Sequence, residues 1–167
     1  MVCLLLAACQ PLYGGKPSDM KDPKKTRPKN GEVVAEEIEW DDNCDSKFFE
    51  KPIKIKPDHA VVRQHITLAD QAINASDVEE KPGKKSSLVL TAIDEYKQAL
   101  VEDPYDAEAT YGLAVAYATV YKKKCALDLI ERLVALRANP AYEADAKRLL
   151  AAAYSEAAFK PFKSALP

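Results

Sequence analysis

The chain has 167 residues, 47% of them hydrophobic and 30% charged, with a formal net charge of -2 at pH 7. That is the composition of an ordinary soluble globular chain, long enough for one domain with a real core plus tails. It excludes a global basic field for holding nucleic acid, and no stretch is long and apolar enough to span a bilayer as a helix.

The first ten residues read Met1-Val2-Cys3-Leu4-Leu5-Leu6-Ala7-Ala8-Cys9-Gln10. The run Leu6-Ala7-Ala8-Cys9 resembles the lipobox of bacterial lipoprotein signal peptides. Small residues before the cysteine give the peptidase access to the bond, and the Cys9 thiol accepts the lipid. The resemblance implies that residues 1–8 are the remnant of a type II signal peptide and that Cys9 becomes the lipidated first residue. Gln10, where Asp would favour inner-membrane retention, implies an outer-membrane lipoprotein facing the periplasm. The run departs from the pattern in lacking a basic residue before Cys9 and in its short apolar core. A hydrophobic N-terminus of a cytosolic protein is the alternative.

Residues 9–31 are rich in Pro, Lys, Gly and Asp and nearly free of large apolar side chains. Such a stretch cannot offset its ordering entropy by burial, so a flexible tether is expected. Lys16, Lys21, Lys24, Lys25, Arg27 and Lys29 make it basic, which suits a solvated spacer or a contact with anionic headgroups or cell-wall polymer. Residues 32–57 reverse the charge with Glu36, Glu37, Glu39, Asp41, Asp42 and Asp45. They also carry Ile38, Trp40, Phe48 and Phe49, so this segment is expected to lie extended on the domain and pack Trp40 and a phenylalanine there. Ile53-Lys54-Ile55-Lys56 alternates as a short extended piece would.

From Asp58 the pattern is helical. Asp58 can cap a first helix over about 59–75, with Val62, Ile66, Ala69 and Ile73 at helical spacing. Ser76 to Lys85, with Pro82-Gly83 and several charges, is expected to be a loop. Ser86 or Ser87 would cap a second helix running to about Glu102, with Pro104 marking its end. Further helices are expected over about 107–121, 124–138 and 142–159, the last stopped by Pro161. The helical domain therefore covers 58–160 and leaves 161–167 as a tail.

Within these helices the sequence repeats at a spacing of 34. Ala92 recurs as Ala126, Ile93 as Leu127, Asp94 as Asp128, Tyr96 as Ile130 and Leu100 as Val134. Leu113, Ala114 and Tyr117 recur as Leu150, Ala151 and Tyr154, with a fainter copy at Leu68, Ala69 and Ala72. This resembles the tetratricopeptide repeat, in which small residues at a close helix crossing alternate with large gap-fillers. The resemblance implies an all-α, short array of about five helices: two helix pairs and a capping helix, preceded by the tether. It departs from the pattern in a long first turn and in two additional residues before Pro140.

In such arrays the first helix of each pair lines a concave face where partner segments lie. By that resemblance Glu108, Tyr111, Gly112, Val115, Thr119 and Lys122 would face the groove, with Tyr111 as an aromatic anchor. Core packing against the N-terminal segment is the other reading of Tyr111. Lys122, Lys123 and Lys124 cluster at the following turn, where a solvated helix end is the plainer reading.

If Cys3 leaves with the signal and Cys9 takes the lipid, Cys44 and Cys125 remain as an even pair in an oxidising compartment. A disulfide between them would clip the acidic segment to the turn between the third and fourth helices. Two separate thiols, with Cys125 filling a buried slot, are the alternative. Asp41, Asn43 and Asp45 open like a calcium loop, but Ser46 stands where Gly is needed and Pro52 where the closing Glu belongs. His59 and His65 do not share a helix face as zinc ligands would. No nucleophile triad, phosphate loop or carboxylate pair is present, so neither enzyme activity, metal, cofactor nor small-molecule substrate is expected. The expected function is a lipid-anchored periplasmic scaffold or adaptor that binds a protein partner in an envelope assembly: secretin or pilus, barrel-assembly or motility machinery. The alternative is a cell-wall-binding structural lipoprotein working through its basic tether or acidic segment.

Overall fold

The computed structural model describes Cys44 and residues 57–167. Cys9, the tether, Trp40, Phe48, Phe49, the Asp41-Asn43-Asp45 stretch and the alternating 53–56 stretch lie outside the described residues. What is described is all-α: α1 His59–Asp77, α2 Pro82–Glu102, α3 Ala107–Thr119, α4 Lys123–Leu136, α5 Glu143–Ser155, and a C-terminal 3-10 segment Ala157–Ala165.

Local chemistry accounts for the helix starts. The Asp58 carboxylate accepts from the backbone N–H groups of Ala60 and Val61 at 3.0 and 3.3 Å, satisfying two of the donors a helix N-terminus leaves unpaired. Asp106 does the same for Ala109 at 2.7 Å at the start of α3. At the far end of α3, the Lys122 N–H donates to the Tyr117 carbonyl and the Tyr121 N–H to the Ala118 carbonyl. This is a Schellman turn, and it forces Tyr121 to a φ of 61°.

The first turn differs from the sequence expectation. Ser76 to Lys85 is not a ten-residue loop, because α1 runs on to Asp77 and α2 already begins at Pro82. Proline has no N–H to lose at a first helical position and its φ is pre-set, so Pro82-Gly83 opens the helix here instead of marking a turn. Neither Ser86 nor Ser87 is a cap; both lie inside α2. The residue numbers explain where the chain went: 23 positions separate Ala69 from Ala92, against 12 between Ala114 and Ala126. The surplus lengthens both helices of the first hairpin, to 19 and 21 residues, against 13 and 14 in the second.

Consecutive helices pack as antiparallel neighbours, and α3 also touches both α1 and α5. The odd-numbered helices thus form one layer, with α2 and α4 packed on its other side. Three of the five repeated pairs behave alike: Ala92 and Ala126 are both buried, as are Tyr96 and Ile130, whereas Asp94 and Asp128 are exposed; Leu127 and Val134 are half-buried where Ile93 and Leu100 are buried. The likeness ends at α5. Leu113, Ala114 and Tyr117 are buried, but Ala151 and Tyr154 are exposed, because no helix pair among the described residues covers them.

The last helix is also shorter than its alanine-rich sequence suggests. It ends at Ser155; Glu156 is extended (φ -64°, ψ 132°), and the chain turns back as a 3-10 run that carries Pro161 within it. Phe159 and Phe162 in that run are among the largest fully buried side chains of the protein. Burial of two rings outweighs the poorer hydrogen-bond geometry of a 3-10 segment of this length.

Candidate functional site

α3 carries the stripe that the sequence singles out, and its neighbours decide how much of it is open. Small residues make α3 the most closely surrounded helix: Ala109, Ala114, Ala116 and Ala118 are all buried. The side chains between them lie at the edge of the odd-helix layer.

Glu108 begins the stripe and reaches across to α1, where its Oε2 accepts from Arg63 at 2.9 Å. Both groups are largely exposed, so the pair orients α3 on α1 more than it stabilises it. Tyr111, one turn on, is half-buried. Its ring lies 6.4 Å from that of Phe159 at 44°, and its hydroxyl donates to Glu156 at 3.5 Å. Burial, then the Glu156 carboxylate, pushes the Tyr111 phenol up to about 12.

Gly112 makes a contact that the sequence did not foretell. It lies against the ring of Tyr96 on α2, so it serves the α2–α3 crossing. Tyr96 in turn donates its hydroxyl to Asp70 on α1 at 2.5 Å, and burial raises its pKa. Val115 and Thr119 follow along the stripe, both half-buried, the Thr119 hydroxyl donating to the Val115 carbonyl at 2.9 Å. Lys122 lies past the end of α3, in the turn, and precedes the first residue of α4.

The structure therefore brings Glu108, Tyr111, Val115 and Thr119 onto one edge and assigns Gly112 to packing. It also shows what covers part of that edge: the C-terminal 3-10 segment, which packs on α5 and α3. Sequence reasoning missed Phe159 and Glu156 as partners of Tyr111, and the burial of Phe162 beside them in the chain. The signal was present as two phenylalanines three apart after the last helix. A continuous helix to Phe159 hid it.

Cys44 and Cys125 are joined in the structure, with Cα atoms 5.2 Å apart. Next to this bond the Tyr117 hydroxyl donates to the Cys44 carbonyl at 2.7 Å, so the same stretch of backbone is held from α3 as well as from α4.

Elsewhere, a cavity of about 220 Å³ is lined by Tyr105, Arg132, Ala135, Leu136 and Asn139. The Arg132 guanidinium sits 5.8 Å over the Tyr105 ring and donates to the Pro104 carbonyl, and Tyr105 stacks on Tyr142 at 6.3 Å. These contacts fasten the α2–α3 connection to α4. His65 pairs with Glu95 at 2.7 Å. Among the described residues no three potential metal ligands converge, and no helix is long and apolar enough to cross a membrane.

The class these features define is an all-α array of helical hairpins whose odd-numbered layer is partly covered by the chain's own C-terminus. No family model, curated protein or solved structure matches the chain.

Proposed function

We propose that the chain is a non-catalytic adaptor of the tetratricopeptide type, which takes up a segment of a protein partner along the Tyr111–Thr119 edge of α3. In this reading the lipid on Cys9 holds it to the outer membrane, the tether gives it reach into the periplasm, and the partner belongs to an envelope assembly. The observation that carries the reading is the way the edge is filled: a nine-residue 3-10 segment lies on α3 and α5, as a bound peptide would. The 34-residue period and the matched burial of Ala92 with Ala126 and of Tyr96 with Ile130 support the repeat assignment.

The test is a crosslinking capture from native membranes with the intact protein and with a Tyr111→Ala, Val115→Glu variant shown by circular dichroism to stay folded. The expected result is one envelope protein captured by the intact chain and lost by the variant. Capture of the same protein by both would remove the edge from the function.

A further inference from the structure

We propose that residues 157–165 are a displaceable internal ligand, and that the partner segment which replaces them presents two aromatic side chains three residues apart. This rests on the reading of the α3 edge as the binding surface and adds the chemistry of what it binds. A 3-10 run has three residues per turn, so Phe159 and Phe162 eclipse one another on a single edge. Both rings are fully buried, while Lys160, Pro161, Lys163 and Ser164 beside them are exposed. Recognition centres on the two rings, with the contact of Phe159 with Tyr111, the Tyr111–Glu156 hydrogen bond and a partly buried Ala158 beside them.

The attachment is suited to release. The segment is joined to α5 through the one extended residue Glu156; its first residues have no side-chain cap, and Pro161 inside it has no N–H to donate. Ordering nine residues offsets much of what two buried rings return. Docking is therefore weaker than the packing of α1 to α5, and the segment opens before the rest unfolds. A competing segment meets a self-ligand at high effective concentration, so the closed chain binds it more weakly than an opened chain does.

The experiment uses the full chain and a fluorescent synthetic peptide with the sequence of residues 156–167. Hydrogen exchange of the chain alone should show amides of 157–165 exchanging at least a hundredfold faster than those of α3 and α5. The peptide should bind by anisotropy and drive the chain's own segment to still faster exchange, whereas a peptide with both phenylalanines replaced by alanine should not bind. A full chain carrying Phe159→Ala and Phe162→Ala should bind the native peptide at least tenfold more tightly. Exchange of 157–165 in step with α3 and α5, with no peptide binding, would make the segment a fixed part of the core and overturn the proposal. Exchange of the segment between two copies, seen as a dimer that the peptide cannot dissociate, would overturn it as well. Neither failure touches the membrane capture, which reads Tyr111 and Val115 against a native partner.

Discussion

A Cβ placed on Gly112 would lie 2.4 Å from Cε1 and Cζ of Tyr96. No real side chain fits at that distance, so the crossing of α2 over α3 requires glycine here. Replacing a helix-interior glycine by alanine normally gains about 1 kcal/mol. Here that gain is opposed by displacement of a buried ring, at about 1–3 kcal/mol and upward. Gly112→Ala is expected to lower the urea midpoint of unfolding. Tyr96→Leu should lower it too, yet the two changes together should be less damaging than their sum, since the clash then has a smaller partner. Strict additivity would show that the ring moves freely.

How far the sequence foretells this can be argued residue by residue. Asp58 was readable as a cap because capping is local: a short carboxylate two or three residues before the donors it serves. The Ala92/Ala126 and Tyr96/Ile130 pairs were readable because a period survives without knowledge of contacts. Pro82-Gly83 was misread because the same dipeptide opens a helix or makes a turn, and only packing against α1 decides. The contacts of Gly112 and Phe159 were not readable, for a common reason. Their partners, Tyr96 and Tyr111, are separated from them by a helix connection or by 48 positions of chain. Neither local propensity nor periodicity carries such a pairing.

The Cys44–Cys125 bond closes a loop with a sequence separation of 81. In the chain-entropy model a loop of that size contributes about 4–5 kcal/mol. Protein purified without reductant should have an intact mass two hydrogens below that of the reduced chain, with no alkylation at Cys44 or Cys125. Cys44→Ala with Cys125→Ala should lower the free energy of unfolding, read from urea denaturation, by an amount of that order. Two free thiols in protein taken from the periplasm would contradict the pairing.

Tyr121 occupies a left-handed position (φ 61°) that glycine normally fills at a helix C-terminus. A non-glycine residue there is strained by about 1–2 kcal/mol. Tyr121→Gly should raise the melting temperature by a few degrees without altering the helical circular dichroism. An unchanged or lower melting temperature would mean that contacts of the tyrosine ring offset the backbone strain.

Asp106 caps α3 from a partly buried site. Burial raises its carboxyl above the ordinary value of 3.8, helped by Asp103 and Glu108 and opposed by the Ala109 N–H bond and Arg63. The folded chain therefore retains this proton where the unfolded chain has released it, so stability falls as pH climbs from the ordinary value through the raised one. Asp106→Asn keeps a capping oxygen and removes the charge, and should abolish this share of the pH dependence. Asp106→Ala also removes the charge but loses the cap, and should be destabilised by about 1 kcal/mol near neutral pH. If Asn and Ala behave alike, the cap contributes nothing.

The Tyr111–Glu156 contact gives the C-terminal segment its own response to alkali. Burial and the neighbouring carboxylate shift the Tyr111 phenol from 10.0 to about 12, so the folded chain holds the phenolic proton where the unfolded chain has lost it. Between those values the folded state binds more protons, and its stability falls as pH rises. Below pH 10 the contact is at full strength. Near pH 12 a tyrosinate faces the Glu156 carboxylate and the pair repels. Proteolysis within residues 157–165 should accelerate over that interval before the far-ultraviolet circular dichroism of α1 to α5 changes. Tyr111→Phe, which keeps the ring on Phe159 but cannot ionise, should lose that alkaline acceleration. An equal acceleration in both proteins would mean that the segment is released by general unfolding and not by this phenol.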